Sequence, residues 1–332
     1  MMARNPERSA SQRAGVVPDT ASFRERIIPR RHPWRWVASI VFVLVLAGVV
    51  IGFSQADISW PSVGGYIASQ QFLIATLNVI LLAVLAQVAA IVLGLVITMM
   101  RTSRNPVAVA IAWFYVWIFR GVPLLLQIIL WYNLALVLDR VTLGIPGTPV
   151  VFFSESTNDL ITPLVAALLG LALNESAYMS EIIRGGLKSV DGGQSEAASA
   201  LGMSPFRIMR RVVLPQAMRA IIPPTGNEFI NMLKTTSLAS IVTYPELVYV
   251  AQNTAAVNLQ VIETLFAAAF WYMVAVSVFS VFQYFVERRF DASTRVQRDS
   301  MVRRLLGVRR TAPADQAARS TRQLEKEMAA HD

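Results

Sequence analysis

Glu175 stands in the run LALNESAY, with Asn174, Ser176 and Tyr178 around it and no basic residue within one helical turn. A carboxylate in so apolar a setting is costly unless it meets water, a cation such as Lys234 from another helix, or a charged group on a solute. That cost makes it a functional candidate. A second polar group, Asn227, Glu228, Asn231 and Lys234, recurs at three- and four-residue steps. On a helix this spacing puts Asn227, Asn231 and Lys234 in one stripe with Glu228 beside it, and Thr235, Thr236 and Ser237 continue the cluster. Such a stripe lines a solute pathway or ties helices together, and spacing alone does not choose. For a zwitterionic solute the chemistry would be charge pairing, with Lys234 or Arg120 taking a carboxylate and Glu175 an ammonium. Glu181 lies six residues beyond Glu175, about 120° from facing the same way. Arg184 follows it by three residues, the spacing of a helix-surface ion pair.

Bond-making chemistry finds no residues to perform it. The chain has no cysteine, and its two histidines, His32 and His331, lie in the tails. Thiolate nucleophiles, disulfides, metal clusters and a histidine general base are therefore not available. A glycine-rich lysine loop for nucleotide phosphates is also missing, so this chain is not expected to hydrolyse ATP. Passage of a solute remains. The alternative is an ion-coupled secondary transporter with a relay through Glu175, Glu228 and Lys234, but no inverted repeat is visible in the single run of crossings.

The elements that must position these residues are membrane helices. Of 332 residues 55% are hydrophobic and 15% charged. The apolar residues gather in runs that can span a bilayer core of about 30 Å, which takes roughly 20 residues of helix. Six spans are predicted, at residues 34–53, 72–100, 120–138, 161–179, 221–242 and 262–286. The amphipathic stretch 106–119 either lies along the interface or extends the third span. Pro223-Pro224-Thr225-Gly226 is expected to kink or unwind the start of the fifth. The first span is too long for a secretory leader and is read as a retained anchor. The tails, 1–33 and 290–332, are basic and weakly periodic, and residues 1–30 and the end of the chain from about 311 are expected to be disordered or loosely helical. Of the 30 Lys and Arg residues, 27 fall before Trp36, from Glu287 onward, and in the loops at 101–106 and 181–219. Basic residues mark the cytoplasmic side, so both tails are placed there. The net charge of +9 reflects topology in an inner membrane, not nucleic-acid binding.

The loop at about 190–219 is neither apolar enough to span nor biased enough to be disordered. After the Asp191-Gly192-Gly193 turn, Ser195 is expected to cap a short helix to Leu201, which Gly202 ends. Ser204-Pro205 then opens a basic amphipathic helix that Leu214-Pro215 interrupts. Together they make a docking element at the membrane surface.

Glu196-Ala197-Ala198, Gly202 four residues on, Val212 and Leu214-Pro215 resemble the EAA loop of permeases of binding-protein-dependent ATP-binding-cassette importers, with Val212 where isoleucine is usual. Arg120-Gly121-Val122-Pro123-Leu124, Ser176-Ala177-Tyr178, Gly226-Asn227-Glu228 and Lys234-Thr235-Thr236-Ser237 resemble the polar amino acid branch. The resemblance covers residues 72–289 and leaves 34–53 as an extra N-terminal helix. It implies an all-α, polytopic, MetI-like type I importer fold of about six transmembrane helices, and an amino acid or related polar solute as cargo. It gives Glu196, Ala197, Ala198, Leu201, Gly202, Leu214 and Pro215 the task of coupling to a separate ATPase. The solute-path candidates are Glu175, Asn174, Tyr178, Arg120, Asn227, Asn231, Lys234, Thr235 and Ser237. The implied assembly has two cytoplasmic ATPase subunits holding ATP-Mg, an extracytoplasmic solute-binding protein, and a second permease, identical or paralogous, in the bilayer. No cofactor is expected on this chain itself.

Overall fold

The computed structural model describes residues 33–145 and 150–290, and the expectations for the tails lie outside the described residues. The chain divides into two units, residues 1–58 and 59–332. In the first, α1 (Pro33–Gln55) is exposed along its length and apolar enough over Trp36–Gln55 to cross a membrane.

The second unit begins with α2 (Trp60–Ile67), α3 (Gln70–Arg101), α4 (Pro106–Gly121) and α5 (Leu124–Tyr132). A two-stranded antiparallel hairpin follows, β1 (Arg140–Gly144) against β2 (Val151–Ser156) with Arg140 opposite Ser156, and then α6 (Thr157–Leu160) and α7 (Pro163–Lys188). The remaining helices are α8 (Gly192–Ala200), α9 (Pro205–Ile208), α10 (Leu214–Thr235), α11 (Leu247–Asn258) and α12 (Val261–Phe290). The hairpin and α11 occupy segments where no regular element is predicted from the sequence.

The core forms around α3 and α7. The buried face of α3 carries Ala75, Val79, Ala83, Ala86, Ala90 and Gly94 at three- and four-residue steps, and α7 answers with Ala166, Ala167, Gly170, Ser176 and Ser180. In lipid, where apolar side chains gain little by leaving the solvent, helices associate through such small residues because the backbones can approach. The approach is close: a Cβ on Gly94 would lie 2.8 Å from the Cβ of Met179. Thr98 donates to the carbonyl of Ser180 at 3.0 Å, adding a polar tie between the two helices. Gly170 makes the corresponding room for α5, since a Cβ there would meet Ile128 at 2.5 Å. Gly170→Val is therefore expected to cost about 2 kcal/mol or more through overpacking, read as a lowered unfolding temperature of the purified protein.

Three described helices, α1, α3 and α12, are long and apolar enough to cross a membrane, and α4 with α5 makes a fourth candidate as a bent pair. The lengths of α7 and α10, 26 and 22 residues, suit a crossing as well, but both carry charged residues. The set is compatible with six crossings. The third is not the unbroken helix expected over 120–138. Val122 takes an extended conformation (φ −93°, ψ 132°), as a residue before proline prefers, and the chain turns by 102° between α4 and α5.

The fifth segment also departs from expectation. Pro223 and Pro224 do not unwind a helix start. They lie inside α10, which runs from Leu214 to Thr235 before a tight 3-10 stretch, Thr236–Val242. The carbonyls of Arg219 and Ala220 lose their usual partners to these prolines, and both residues are exposed. Gln283 of α12 donates to the carbonyl of Pro223 at 3.2 Å.

Candidate solute cavity and coupling surface

The break at Val122-Pro123 is held by side chains that satisfy the freed helix-end carbonyls. The Gln127 amide donates to Phe119 O and Val122 O at 3.1 and 2.8 Å, and Asn174 of α7 donates to Phe119 O at 2.6 Å. Tyr115 joins α4 to α7 as well, with its hydroxyl 2.7 Å from Ser176 Oγ. These ties seat α4 against the middle of α7, while α5 packs along α7 through Ile128 and Gly170.

Below this corner lies a cavity of about 280 Å³ between α5, α7 and α10. Its polar lining comprises Asn174, Glu175 and Tyr178 from α7 and Glu228, Asn231 and Thr235 from α10, closed by Leu124, Leu171 and Met232. Glu175 is buried and its Oε1 has no hydrogen-bond partner. Two carboxylates share the cavity, and no lysine or arginine lines it. Such a lining attracts a cation and resists a second anion.

A neighbouring cavity of about 460 Å³ is lined by Arg101, Arg120, Glu181, Tyr178 and the rings of Trp113 and Trp117. Glu181 pairs with Arg184 as its spacing predicts, and its other oxygen pairs with Arg101 of α3. Arg120 rests over the Tyr178 ring, with Cζ 5.0 Å from the centroid.

The structure brings together five of the solute-path candidates, Asn174, Glu175, Tyr178, Asn231 and Thr235, and sets four apart. Asn227 and Lys234 are exposed and outside the cavity lining, Arg120 stands on the far side of Tyr178, and Ser237 lies in the 3-10 stretch, its carbonyl accepting from Ser240 Oγ at 2.8 Å. Glu228, beside the stripe in the sequence reading, enters the cavity instead of Asn227 and Lys234. The signal was available, because Glu228, Asn231 and Thr235 follow the i, i+3, i+7 spacing of one helix face.

The loop after α7 is helical almost throughout. Asp191, not Ser195, caps α8, its Oδ1 accepting from the Gly193 N–H at 2.9 Å, so the helix starts four residues earlier than expected. An aspartate before two glycines can fold back onto the backbone, and this outcompetes the later serine. Gly202 ends α8 in the left-handed region (φ 74°), and Gly202 and Met203 donate to Ser199 O and Ala198 O at 2.9 and 3.2 Å. This is a helix stop that glycine adopts without strain. Beyond α9, Leu214-Pro215 does not interrupt the helix. One π-helical stretch, Met209–Val213, absorbs the missing proline N–H, and α10 continues. Ala198 is buried, whereas Glu196, Ala197 and Pro215 are exposed, Leu201 is 83% exposed and Phe206 75%. Apolar side chains bared beside Arg207, Arg210 and Arg211 form a surface suited to a partner.

Residues 90–292 match the family model described as the binding-protein-dependent transport system inner membrane component. The arginine transport system permease protein ArgU of Corynebacterium glutamicum is 41% identical over 271 residues, covering 80% of this chain and 84% of that protein. The nopaline transport system permease protein NocM of Agrobacterium fabrum is 36% identical over 207 residues, covering 61% and 80%. Among solved structures, an amino acid ABC transporter crystallised with histidines is 32% identical, with a TM-score of 0.60 over 70% of this chain and 100% of that one. A bacterial ABC transporter involved in import of the acidic polysaccharide alginate, 15% identical with a TM-score of 0.53 over 78% of this chain and 96% of that one, shares the fold alone. With its bundle of apolar helices, a polar cavity and this span of matches, the chain belongs to the inner-membrane permease components of binding-protein-dependent ABC transport systems.

Proposed function

We propose that this chain is the permease subunit through which an amino acid with a cationic side chain enters the cell, driven by ATP that a partner hydrolyses. The observation that carries the solute class is the cavity shared by Glu175 and Glu228, whose lining contains no lysine or arginine. Two carboxylates with the amides and hydroxyls of Asn174, Asn231, Thr235 and Tyr178 complement a guanidinium or an ammonium through charge-assisted hydrogen bonds. The relative named for arginine transport supports the same class.

Force enters through the loop that resembles the EAA element. Glu196, Ala197, Leu201 and Pro215 are exposed for contact, buried Ala198 and the left-handed Gly202 hold the shape of α8, and Leu214-Pro215 leads from the loop into α10. Because α10 carries Glu228, Asn231 and Thr235, a push at the loop reaches the cavity along one continuous helical path. Two ATPase subunits holding ATP-Mg dock here, a second permease completes the pathway, and an extracytoplasmic binding protein delivers the solute. The clustering of 27 of 30 basic residues supports a cytoplasmic position for both termini.

The test is uptake by proteoliposomes containing the permease, its ATPase and its binding protein. Arginine is expected to enter only with ATP. Uptake driven by a proton gradient without ATP would replace this reading with a secondary transporter, and saturable uptake confined to acidic amino acids would remove the cationic class.

A further inference from the structure

Tyr178 lines both cavities. On one side of it are the carboxylates of Glu175 and Glu228; on the other are the guanidiniums of Arg101 and Arg120 with the single carboxylate of Glu181. Arg120 lies on the tyrosine ring at a distance suited to a cation–π contact. Both residues are fixed from behind. The last turn of α4 is tied through Phe119 O to Asn174 and Gln127, and Tyr178 is flanked on α7 by buried Ala177 and Met179. Arg120 is nevertheless exposed. A guanidinium carried between membrane helices is costly against acyl chains, so Arg120, beside the exposed rings of Trp113 and Trp117, requires a polar surrounding that lipid does not supply.

We propose that Arg120 and Tyr178 form a barrier between the cavity that holds the solute and a second chamber that releases it to the cytoplasm. The identity of what passes rests on the cationic amino acid reading above; the barrier itself does not. Glu181 lies three residues beyond Tyr178 toward the cytoplasmic loop, which gives the chamber its direction. The charge contrast gives passage a sense: a cation leaving two carboxylates enters a lining with two guanidiniums and one carboxylate, where it is not retained. Arg120 is a tethered cation on the ring face that the solute must pass, so it has to leave that face before the solute can move.

The absence of cysteine allows a direct test. A single Asn231→Cys, in the complete transporter with its ATPase, places one thiol in the acidic cavity. Its labelling by a membrane-impermeant cationic thiosulfonate applied from the cytoplasmic side then reports the barrier. Adding Arg120→Ala or Tyr178→Ala is expected to speed labelling about fivefold, the scale of a lost exposed cation–π contact, whereas Tyr178→Phe keeps the ring and the parental rate. Arg120→Ala alters an exposed side chain and leaves the fold in place if Tyr178→Ala does not assemble. A rate within twofold of the parent in Arg120→Ala overturns the barrier. Loss of the cationic solute reading would appear in uptake by a Glu175→Gln transporter and would leave these labelling rates as they are.

Discussion

Glu196→Arg is expected to reduce both solute-stimulated ATP hydrolysis and uptake by roughly 30-fold or more, corresponding to the ~2 kcal/mol or more lost when one member of a buried interfacial charge pair is removed. The residue is exposed on α8, so nothing in the permease itself depends on its charge, and the purified chain should keep its unfolding temperature. Gly202→Asp is expected to give a similar loss by a different route. At φ 74° an ordinary residue costs about 1–2 kcal/mol, and the helix stop built on Ser199 O and Ala198 O would loosen. Assay of both variants in proteoliposomes decides the matter: ATPase and uptake rates equal to the parent's in both would remove the coupling role from this loop.

Glu175→Gln is expected to lower uptake of a cationic amino acid about a hundredfold while changing that of a neutral one by a few-fold, because breaking a buried ion pair costs about 3 kcal/mol. The amide keeps the shape of the side chain and removes its charge, so the two solutes separate electrostatics from packing. Glu228→Gln should show the same selectivity more weakly, since Glu228 is only half-buried and better screened. Competition uptake with labelled arginine and glutamine measures both. An equal loss for the two solutes would assign Glu175 a structural role, and the cavity would then hold helices together instead of cargo.

Much of this molecule can be read along one dimension. The length of an apolar run fixes whether a helix can span, and loop charges fix which side it faces, so the membrane class is already present in the order of residues. The resemblance of the loop from Glu196 to Pro215 was legible for a similar reason, since its spacing is local. Even there, Ser195 was read as the cap and Asp191 as part of the preceding turn, and the backbone geometry puts the cap at Asp191.

What could not be read is where distant segments meet. The sequence placed Glu175 in an apolar helix and Glu228 beside a polar stripe, but whether they face one cavity depends on the packing of α7 against α10 and on the corner at Val122-Pro123. Lys234, a partner for Glu175 by charge, is exposed and outside the cavity lining, about 120° around α10 from Glu228. Arg101 reaches Glu181 across 80 residues of chain, and no local spacing signals that pair. Composition and the placement of charge thus determined that the chain lies in the membrane, and a local resemblance marked the loop from Glu196 to Pro215, because those properties are carried by neighbouring residues. Only the tertiary structure decided that two carboxylates share one cavity and that an arginine and a tyrosine stand between it and the next, because a site is a relation among residues that the fold alone brings within reach.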